Sequence, residues 1–193
     1  MIKVKPVARF EKVSFTHFMN DIDKIVGDRT QLKYGAINSL NYEELKELWE
    51  SIELPKRATK GSAGYDFFSP FSFCLFNGKS ILIPTGIRCK LEKGYKLVCY
   101  PRSSQGFVHY VKLANTVGII DEDYYNSANE GHIMLKLCKD DYEEFSYGRY
   151  LVNKGDKIMQ GIFEKVYYAE EDEVLAEREG GIGSTDGQHK LCN

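Results

Sequence analysis

The chain has little that would place it in a membrane, on a nucleic acid or outside the cell. Its 26 lysines and arginines nearly balance 28 aspartates and glutamates, which leaves a formal net charge of −2. A balanced charge gives no bulk attraction to nucleic acid or to an anionic membrane surface. No apolar run approaches the ~20 residues of a transmembrane helix, and the first ten residues contain no apolar segment typical of a secretory signal. We therefore predict a cytoplasmic globular protein that binds neither nucleic acid nor membrane.

The five cysteines lack the spacing of a metal site or a disulfide framework. Their number is odd, no two of them form a CxxC pair, and four lie in apolar or strand-like runs. Buried, reduced thiols are the simplest interpretation, because free cysteine packs as a small apolar residue. The histidines also show no ligand spacing, so a structural role is expected for each of them (His17, His109, His132 and His189).

The stretch 11–52 has the periodicity of helices. Apolar residues from Phe15 to Ile25 recur at intervals of three and four, which predicts one helix. A second helix is predicted over Tyr42–Ile52, because Asn41 is a favourable N-cap and the apolar residues of the segment form one stripe. This helical block is either an insertion that acts as a lid or a buttress packed on the rest of the protein.

From residue 53 onward the pattern is that of short strands separated by turns. Glycine-containing turns such as Asn77-Gly78 and Lys93-Gly94 fall between apolar runs. Closely spaced strands without intervening helices predict an all-β fold, as an antiparallel sandwich, barrel or jelly roll. The predicted strands are Tyr65–Phe68, Ser80–Pro84, Ile87–Leu91, Tyr95–Tyr100, Val108–Asn115, His132–Leu137, Arg149–Val152 and Ile158–Tyr168. The chain then divides into a first strand (1–10), the helical insertion (11–52), a β domain (53–169) and a flexible, glycine-rich C-terminal arm (170–193).

Asn115–Tyr124 is the stretch around which a site is most readily built. It turns at Gly118, offers Ile119 and Ile120 for burial in an extended segment, and then presents the carboxylate of Asp121. In a strand, Ile119 and Asp121 would share one face and Ile120 the other. An acid and an aromatic residue at the end of a hairpin form a pocket for a ligand with one polar and one flat part. On these residues alone, the simpler interpretation is that Asp121 is a turn carboxylate and Tyr124 a core aromatic.

Five stretches in a fixed order make this chain similar to a known family. They are Ser62–Asp66, Pro101–Ser104, Asn115–Tyr124, Gly155–Gln160 and Arg178–Thr185. Together with the lead-in that starts at Leu54, they resemble the five motifs of the trimeric deoxyuridine triphosphatase (dUTPase) family over about residues 53–187. The longer turn after Tyr124, which ends in Glu-Gly-His, resembles the phage and Gram-positive branch. The resemblance implies a dUTPase-like β-clip or jelly-roll sandwich, to which the helices are an addition.

The second and fourth motifs carry groups that can bind phosphate. Arginine matches phosphate oxygens with two parallel hydrogen bonds, and hydroxyls beside it add further donors. An Arg-Ser-Ser turn alone is more often a plain surface loop. The resemblance implies that Arg102, Ser103 and Ser104 contact the triphosphate and that Gln160 donates to it.

The resemblance also implies roles for the hairpin residues and for the residue near the metal ion. It implies that Asn115 and backbone near Gly118 and Ile120 read the uracil edge, and that Tyr124 packs flat beneath the deoxyribose and leaves no room for a 2′-hydroxyl. Asp121 is then the general base that activates the attacking water. The resemblance also places Asp66 near a Mg²⁺ ion, which it would contact through metal-bound water. Mg²⁺ keeps several waters and takes its other ligands from substrate phosphates.

The C-terminal motif has the composition of a loop that binds phosphate, because small residues expose backbone N–H groups and its arginine and hydroxyls add hydrogen-bond donors. The resemblance implies that it closes over a neighbouring subunit's site in a homotrimer. The residues concerned are Arg178, Ile182, Gly183, Ser184 and Thr185. Ile182 stands where the family usually has phenylalanine, so lid closure is expected to be weaker because isoleucine cannot stack on a base.

The resulting hypothesis is hydrolysis of dUTP to dUMP and pyrophosphate. One alternative is deoxycytidine triphosphate deaminase, a relative with a similar arginine–serine motif. Its catalytic glutamate would follow Ile133-Met-Leu, where this chain has Lys136, so deamination is disfavoured. The other alternative is a phage-type regulatory protein that binds a partner through residues 11–52.

Overall fold

The protein was analysed as a computed structural model, which describes residues 5–27, 37, 39–141 and 148–172. Its helices are α1 (Phe15–Gly27), α2 (Tyr42–Glu50) and α3 (Ser103–His109), and a 3-10 helix spans Glu122–Asn126. The strands are β1 (Ala8–Lys12), β2 (Tyr65–Phe68), β3 (Phe73–Phe76), β4 (Ser80–Pro84), β5 (Ile87–Leu91), β6 (Tyr95–Tyr100), β7 (Val111–Leu113), β8 (Gly118–Ile120), β9 (Met134–Lys139), β10 (Arg149–Val152) and β11 (Lys157–Lys165). No helix in these ranges is long and apolar enough to span a membrane.

The strands form small antiparallel sheets, which confirms the all-β prediction. The largest sheet has the order β2-β11-β6-β8, a second has the order β4-β9-β7, and two further pairs are β1-β5 and β10-β3. All of these strand pairs are antiparallel. Alternating strand residues from these sheets, such as Leu97, Leu137 and Ile158, have no exposed surface and meet in one core.

The predicted strand Val108–Asn115 is wrong in its first half. Val108 and His109 belong to α3, and β7 begins only at Val111. The helix ends because Tyr110 adopts a left-handed backbone conformation with φ 55°. The sequence misled because Val108 looks like part of an alternating strand, whereas its side chain is exposed on the helix.

Both predicted helices are present. The helix predicted from the spacing of Phe15 and Ile25 is α1, and the second prediction overshoots the end of α2 by two residues. Asn41 caps α2 as expected, because its side chain accepts a hydrogen bond from the backbone N–H of Glu44 at 3.1 Å. The Glu44 carboxylate accepts in return from the Asn41 backbone N–H at 2.8 Å, which completes a capping box.

The helices pack on the β domain as a buttress. Phe18, Ile22 and Leu48 are buried in the same hydrophobic cluster as the strand residues. Of the two alternatives left open by the sequence, this packing matches the buttress, since the apolar stripes of both helices are covered by the core.

A buried polar pair joins α1 to the β domain. The Nδ1 atom of His132 lies 2.7 Å from the Oδ2 atom of Asp21, and the histidine has no exposed surface. Burial lowers the pKa of His132 below its usual value, although the contact with Asp21 opposes the effect. Burial alone would raise the pKa of Asp21, but hydrogen bonds from His132 and Lys24 outweigh it and lower the pKa to about 2.

This pair predicts how stability depends on pH. Both pKa values are lower in the folded chain than in the unfolded chain, so each group stabilises the fold above its unfolded pKa and loses that contribution as the pH falls. Asp21→Asn should lower the free energy of unfolding by about 2 kcal/mol above pH 5, and the difference should shrink toward pH 2 as the wild-type carboxylate is protonated. Urea titrations at pH 7, 4 and 2.5 measure this, with Asp23→Asn as the control on an exposed position of the same helix. A difference that did not depend on pH would contradict the assignment.

Candidate active site

The four-stranded sheet brings the first four motifs to neighbouring strands. Asp66 on β2 lies opposite Gln160 on β11, and Gln160 lies opposite Tyr100 at the end of β6. On the far side of β6, Gly118 of β8 lies opposite Cys99. Residues directly opposite on adjacent strands are close neighbours on one face of a sheet, so the register alone places Asp66 and Gln160 next to the turn that leaves β6.

A cleft of about 510 Å³ opens at this point. It contains one carboxylate, and beside it a guanidinium, an amide and three hydroxyls, which offer the donors that a phosphate chain needs. The lining residues are Ala58, Ser62, Ala63, Gly64, Asp66, Arg102, Ser103, Ser104, Gln160 and Ile162. Every site residue predicted from the first, second and fourth motifs is therefore in one place.

Asp66 holds two cationic side chains at the cleft. Its Oδ1 atom lies 3.2 Å from Nε of Arg102 and its Oδ2 atom lies 2.8 Å from Nζ of Lys157. About a third of each cationic side chain remains exposed, whereas Asp66 is buried. Asp66 and Arg102 line the cleft and balance each other, whereas Lys157 is not among the lining residues and leaves one net positive charge beside the cleft, which favours an anionic ligand. Lys157 was not among the predicted site residues, although it follows the Gly-Asp pair of the fourth motif.

Gln105 fixes the start of α3 and was also missed by the sequence analysis. Its side-chain oxygen accepts a hydrogen bond from the Arg102 backbone N–H at 2.8 Å, and its amide nitrogen donates to the Ile158 carbonyl at 2.9 Å. Because the side chain is buried, these bonds hold the Arg102–Ser104 turn against β11. A glutamine three residues after the N-cap position is the signal that could have identified it.

Gly64 permits the close approach of Gln160. A Cβ atom at this position would lie 2.8 Å from the Oε1 atom of Gln160, which is closer than such atoms pack. The amide nitrogen of Gln160 donates to the Pro101 carbonyl at 3.3 Å. Gly64 therefore leaves room for the Gln160 side chain beside the turn that carries Arg102.

Asn115–Tyr124 was predicted as a hairpin, but β7 pairs with β9 and β8 pairs with β6, so the two strands belong to different sheets and form no hairpin with each other. This segment, the hairpin of the sequence prediction, begins with a tight turn. Thr116 has a left-handed backbone with φ 64°, and the Val117 N–H donates to the Asn115 carbonyl at 2.6 Å. Asn115 is exposed at the tip, where its amide can reach a ligand. Gly118 faces β6 closely, since a Cβ atom there would lie 3.2 Å from Cβ of Cys99.

Two expectations for the end of the hairpin are wrong. Ile119 is 57% exposed and only Ile120 packs against the core, so the two isoleucines are not both buried. The strand alternation also stops at Ile120, because the chain turns into the 3-10 helix Glu122–Asn126. Asp121, which is partly buried, stands at the junction and accepts a hydrogen bond from the Tyr124 N–H at its carbonyl.

Tyr124 is anchored from below by its hydroxyl. The hydroxyl donates to the His132 carbonyl at 2.9 Å and accepts from the side-chain amide of Asn129 at 2.8 Å. Only 6% of the residue is exposed. Within one chain Tyr124 therefore packs mainly as a core aromatic, and any contact with a ligand is limited to its exposed edge.

The structure does not bring all predicted site residues together. The cleft lining includes none of the residues Asn115, Gly118, Ile120, Asp121 and Tyr124. The residues predicted to bind phosphate thus lie in the cleft, and those predicted to bind the nucleoside lie on the hairpin segment; we call these two groups the phosphate half and the nucleoside half. The predicted tail residues Arg178, Ile182, Gly183, Ser184 and Thr185 lie outside the described residues.

Gly131 is required by the turn that supports Tyr124. It has φ 68°, and a Cβ atom would lie 2.7 Å from the Tyr125 Cα and 2.8 Å from the Tyr124 carbonyl oxygen. Gly131→Ala should lower the free energy of unfolding by about 2–4 kcal/mol, because neither contact can relax without moving backbone. Gly94→Ala is the matched control, since Gly94 also has positive φ but open space around it. Equal losses in the two variants, measured by urea denaturation, would contradict the steric argument.

Comparisons with known proteins agree with the motif assignment. The dUTPase family model matches residues 50–186. A deoxyuridine 5'-triphosphate nucleotidohydrolase of Lactococcus lactis is 38% identical over 137 residues, which are 69% of this chain and 88% of the relative. The crystal structure of dUTPase from Streptococcus mutans is 32% identical with a TM-score of 0.52, and the match covers 61% of this chain and 88% of that chain.

A phage protein has the same fold at lower identity. A dUTPase from phage phi11 of S. aureus, whose structure describes the coordination of a structural Mg(II) ion, is 21% identical with a TM-score of 0.53. The match covers 66% of this chain and 92% of that chain. The family match spans most of the chain, and the first four motifs lie in one cleft and on the segment that contains β8. The chain therefore belongs to the dUTPase family.

Proposed function

We propose that this chain hydrolyses dUTP to dUMP and pyrophosphate. The observation that carries the proposal is the cleft in which the first, second and fourth motifs converge around Asp66, Arg102 and Gln160. Its donors and the net positive charge beside it fit a triphosphate. The relatives named deoxyuridine 5'-triphosphate nucleotidohydrolase support the choice of nucleotide, which would limit uracil in DNA and supply dUMP.

The phosphate half would lower the barrier by placing charge and donors where negative charge grows. Arg102 and Lys157 are already held in place by Asp66, and Gln105 holds the serine-bearing turn. Groups fixed in advance stabilise a transition state without reorganising, which is the main source of rate in phosphoryl transfer. The hydroxyls of Ser103 and Ser104, both exposed at the cleft, would complete this set.

Asp66 fits a magnesium ion held mainly by the substrate. Both of its oxygens lie within ion-pair distance of a cationic side chain, and no group of three or more metal-ligating side chains occurs in the described part of the chain. Such a carboxylate would contact metal-bound water rather than the metal, as Mg²⁺ readily allows. When bound, the ion would supply charge neutralisation on the triphosphate.

The nucleoside half would recognise deoxyuridine and supply the general base of the reaction. Asp121 would take a proton from the water that attacks the α-phosphorus. Asn115 would hydrogen-bond the uracil edge with backbone groups at Gly118 and Ile120, which discriminates because a wrong base leaves polar groups unpaired. The exposed edge of Tyr124 would lie under the deoxyribose.

We infer a homotrimer in which different subunits supply the two halves. The absence of the hairpin from the cleft lining supports this arrangement, since neither half alone contains both the phosphate donors and the general base Asp121. The tail with Arg178, Ile182, Gly183, Ser184 and Thr185 would close the site from a further subunit. A regulatory protein partner at the helical block and a cytoplasmic location stay predictions from the sequence.

A deaminase reading is not favoured. Lys136 is exposed on β9 and occupies the place where that enzyme would carry its glutamate. A lysine cannot perform the proton transfers of a carboxylate.

A substrate panel tests the proposed reaction. Pyrophosphate release would be followed with Mg²⁺ from dUTP, UTP, dCTP and dTTP in parallel, with ammonia monitored in the dCTP reaction. We expect release from dUTP to exceed the others by at least about a hundredfold, because a hydrogen-bonding pocket rejects a wrong partner strongly. Ammonia from dCTP, or equal rates from all four nucleotides, would refute the proposal.

A further inference from the structure

Helix α1 contacts the turn that carries Tyr124 through buried polar groups. We propose that the Asp21–His132 pair is a positioning device that fixes Tyr124 for selection of deoxyribose over ribose. The inference rests on the proposed function, because it assigns these two residues a part in how the same site chooses its substrate. It gives the helical block, which lies mostly outside the family match at 50–186, a role in that choice.

The first link is the buried histidine. His132 accepts a hydrogen bond from the Gly86 backbone N–H at its Nε2 atom, at 2.8 Å. A backbone N–H can only donate, so Nε2 is unprotonated and the ring proton of the neutral imidazole lies on Nδ1. Nδ1 then donates to Asp21 at 2.7 Å. The imidazole ring is thus held between Gly86, which precedes β5, and α1, in one tautomer and one orientation.

The second link joins His132 to the substrate hairpin. The carbonyl of His132 accepts from the Tyr124 hydroxyl at 2.9 Å, so the position of the histidine backbone sets the position of the tyrosine ring. Asn129 donates to the same hydroxyl, and the tight packing at Gly131 leaves this turn little freedom.

The third link fixes the beginning of the helix to the same turn. The backbone N–H and the hydroxyl of Ser14 both donate to the Glu130 carboxylate, each at 2.7 Å. Further along α1, Lys24 contacts Asp21 at 2.8 Å. The helix and the residue before it are therefore bonded to residues 130 and 132 at two separate points, and His132 supplies the carbonyl that accepts from the Tyr124 hydroxyl. A shift of α1 would shift the acceptor of the Tyr124 hydroxyl.

The test compares Asp21→Asn with Asp23→Asn, which makes the same change at an exposed position of the same helix. The decisive quantity is the ratio of kcat/KM for dUTP to kcat/KM for UTP. We expect it to fall about fivefold in Asp21→Asn and to stay unchanged in Asp23→Asn, since the positioning contact corresponds to about one hydrogen bond. Partial unfolding alone would lower both rates equally and leave the ratio intact. An unchanged ratio in folded Asp21→Asn would overturn the inference.

A second readout does not depend on activity. Amide hydrogen exchange in residues 124–132 should be at least about fivefold faster in Asp21→Asn than in Asp23→Asn, while exchange in β6 stays the same. Equal exchange in the two variants would overturn the positioning role even if the wild type proved inactive on dUTP, which would refute the proposed function separately. If Asp21→Asn does not fold, Tyr124→Phe removes the hydroxyl link alone. It must then show the same fall in the ratio, and an unchanged ratio would equally overturn the inference.

Discussion

Asp121→Asn is expected to lower kcat for dUTP by about 10²- to 10⁴-fold, the usual range for loss of a general base. Asparagine has nearly the same shape as aspartate and retains a polar side chain at the junction of β8 and the 3-10 helix. It cannot accept a proton from water. Affinity for dUTP should therefore change by less than about threefold, because the loss concerns an interaction made mainly in the transition state.

Two measurements separate the effect of Asp121→Asn on the chemical step from its effect on affinity for dUTP. Single-turnover pyrophosphate release gives the chemical step, and calorimetric titration with a non-hydrolysable dUTP analogue gives the affinity. Asp123→Asn, two residues further on and exposed, is the matched control for removal of one negative charge. Wild-type turnover in Asp121→Asn would remove Asp121 from the role of base.

Arg102→Ala is expected to lower kcat/KM for dUTP by about 10²- to 10³-fold, as for removal of a fixed donor from a charge-stabilising site. The guanidinium lies in the cleft beside Ser103 and is held by Asp66 at 3.2 Å. Lys157 still faces Asp66 in the variant, so the carboxylate keeps one of its two cationic partners.

The conservative variant and a control sharpen this result. Arg102→Lys keeps the charge but loses the planar fork, and should fall between wild type and Arg102→Ala. Arg149→Ala removes an exposed arginine from β10 and should leave kcat/KM unchanged. If Arg102→Ala binds and cleaves dUTP as well as Arg149→Ala does, the cleft is not the triphosphate site.

Much of the fold could be predicted because the local signals were strong. Ile87–Leu91 alternates cleanly, Tyr95–Tyr100 is a short apolar run that follows the Lys93-Gly94 turn, and the predicted bounds of both strands agree with the structure. The helix α3 could not be predicted in this way. It is short, it contains Gly106, and it is held by the tertiary hydrogen bond from Gln105 to Ile158 rather than by its own periodicity.

The residues of the site likewise differ in how far the sequence could predict them. Motif spacing was enough to name Asp66, Arg102 and Gln160, and the sheet register then places them together. The supporting contacts depend on residues far apart in the chain. Asp21 and His132 are separated by 111 positions, and no local pattern relates them. The hydroxyl of Tyr124 is different, since its partners His132 and Asn129 are only eight and five positions away.

The most direct test of the account mixes two inactive variants. Asp121→Asn subunits retain an intact phosphate half, and Arg102→Ala subunits retain an intact nucleoside half. Equal amounts would be coexpressed with different tags, and doubly tagged trimers would be purified and assayed for pyrophosphate release from dUTP.

If different subunits supply the two halves, a doubly tagged trimer holds two subunits of one variant and one of the other, so one of its three sites, about a third, has both halves intact. The account therefore predicts that mixed assemblies recover activity far above either parent, near that fraction of the wild-type rate. Mixed assemblies no more active than the parents would contradict it, because each site would then be built within one subunit.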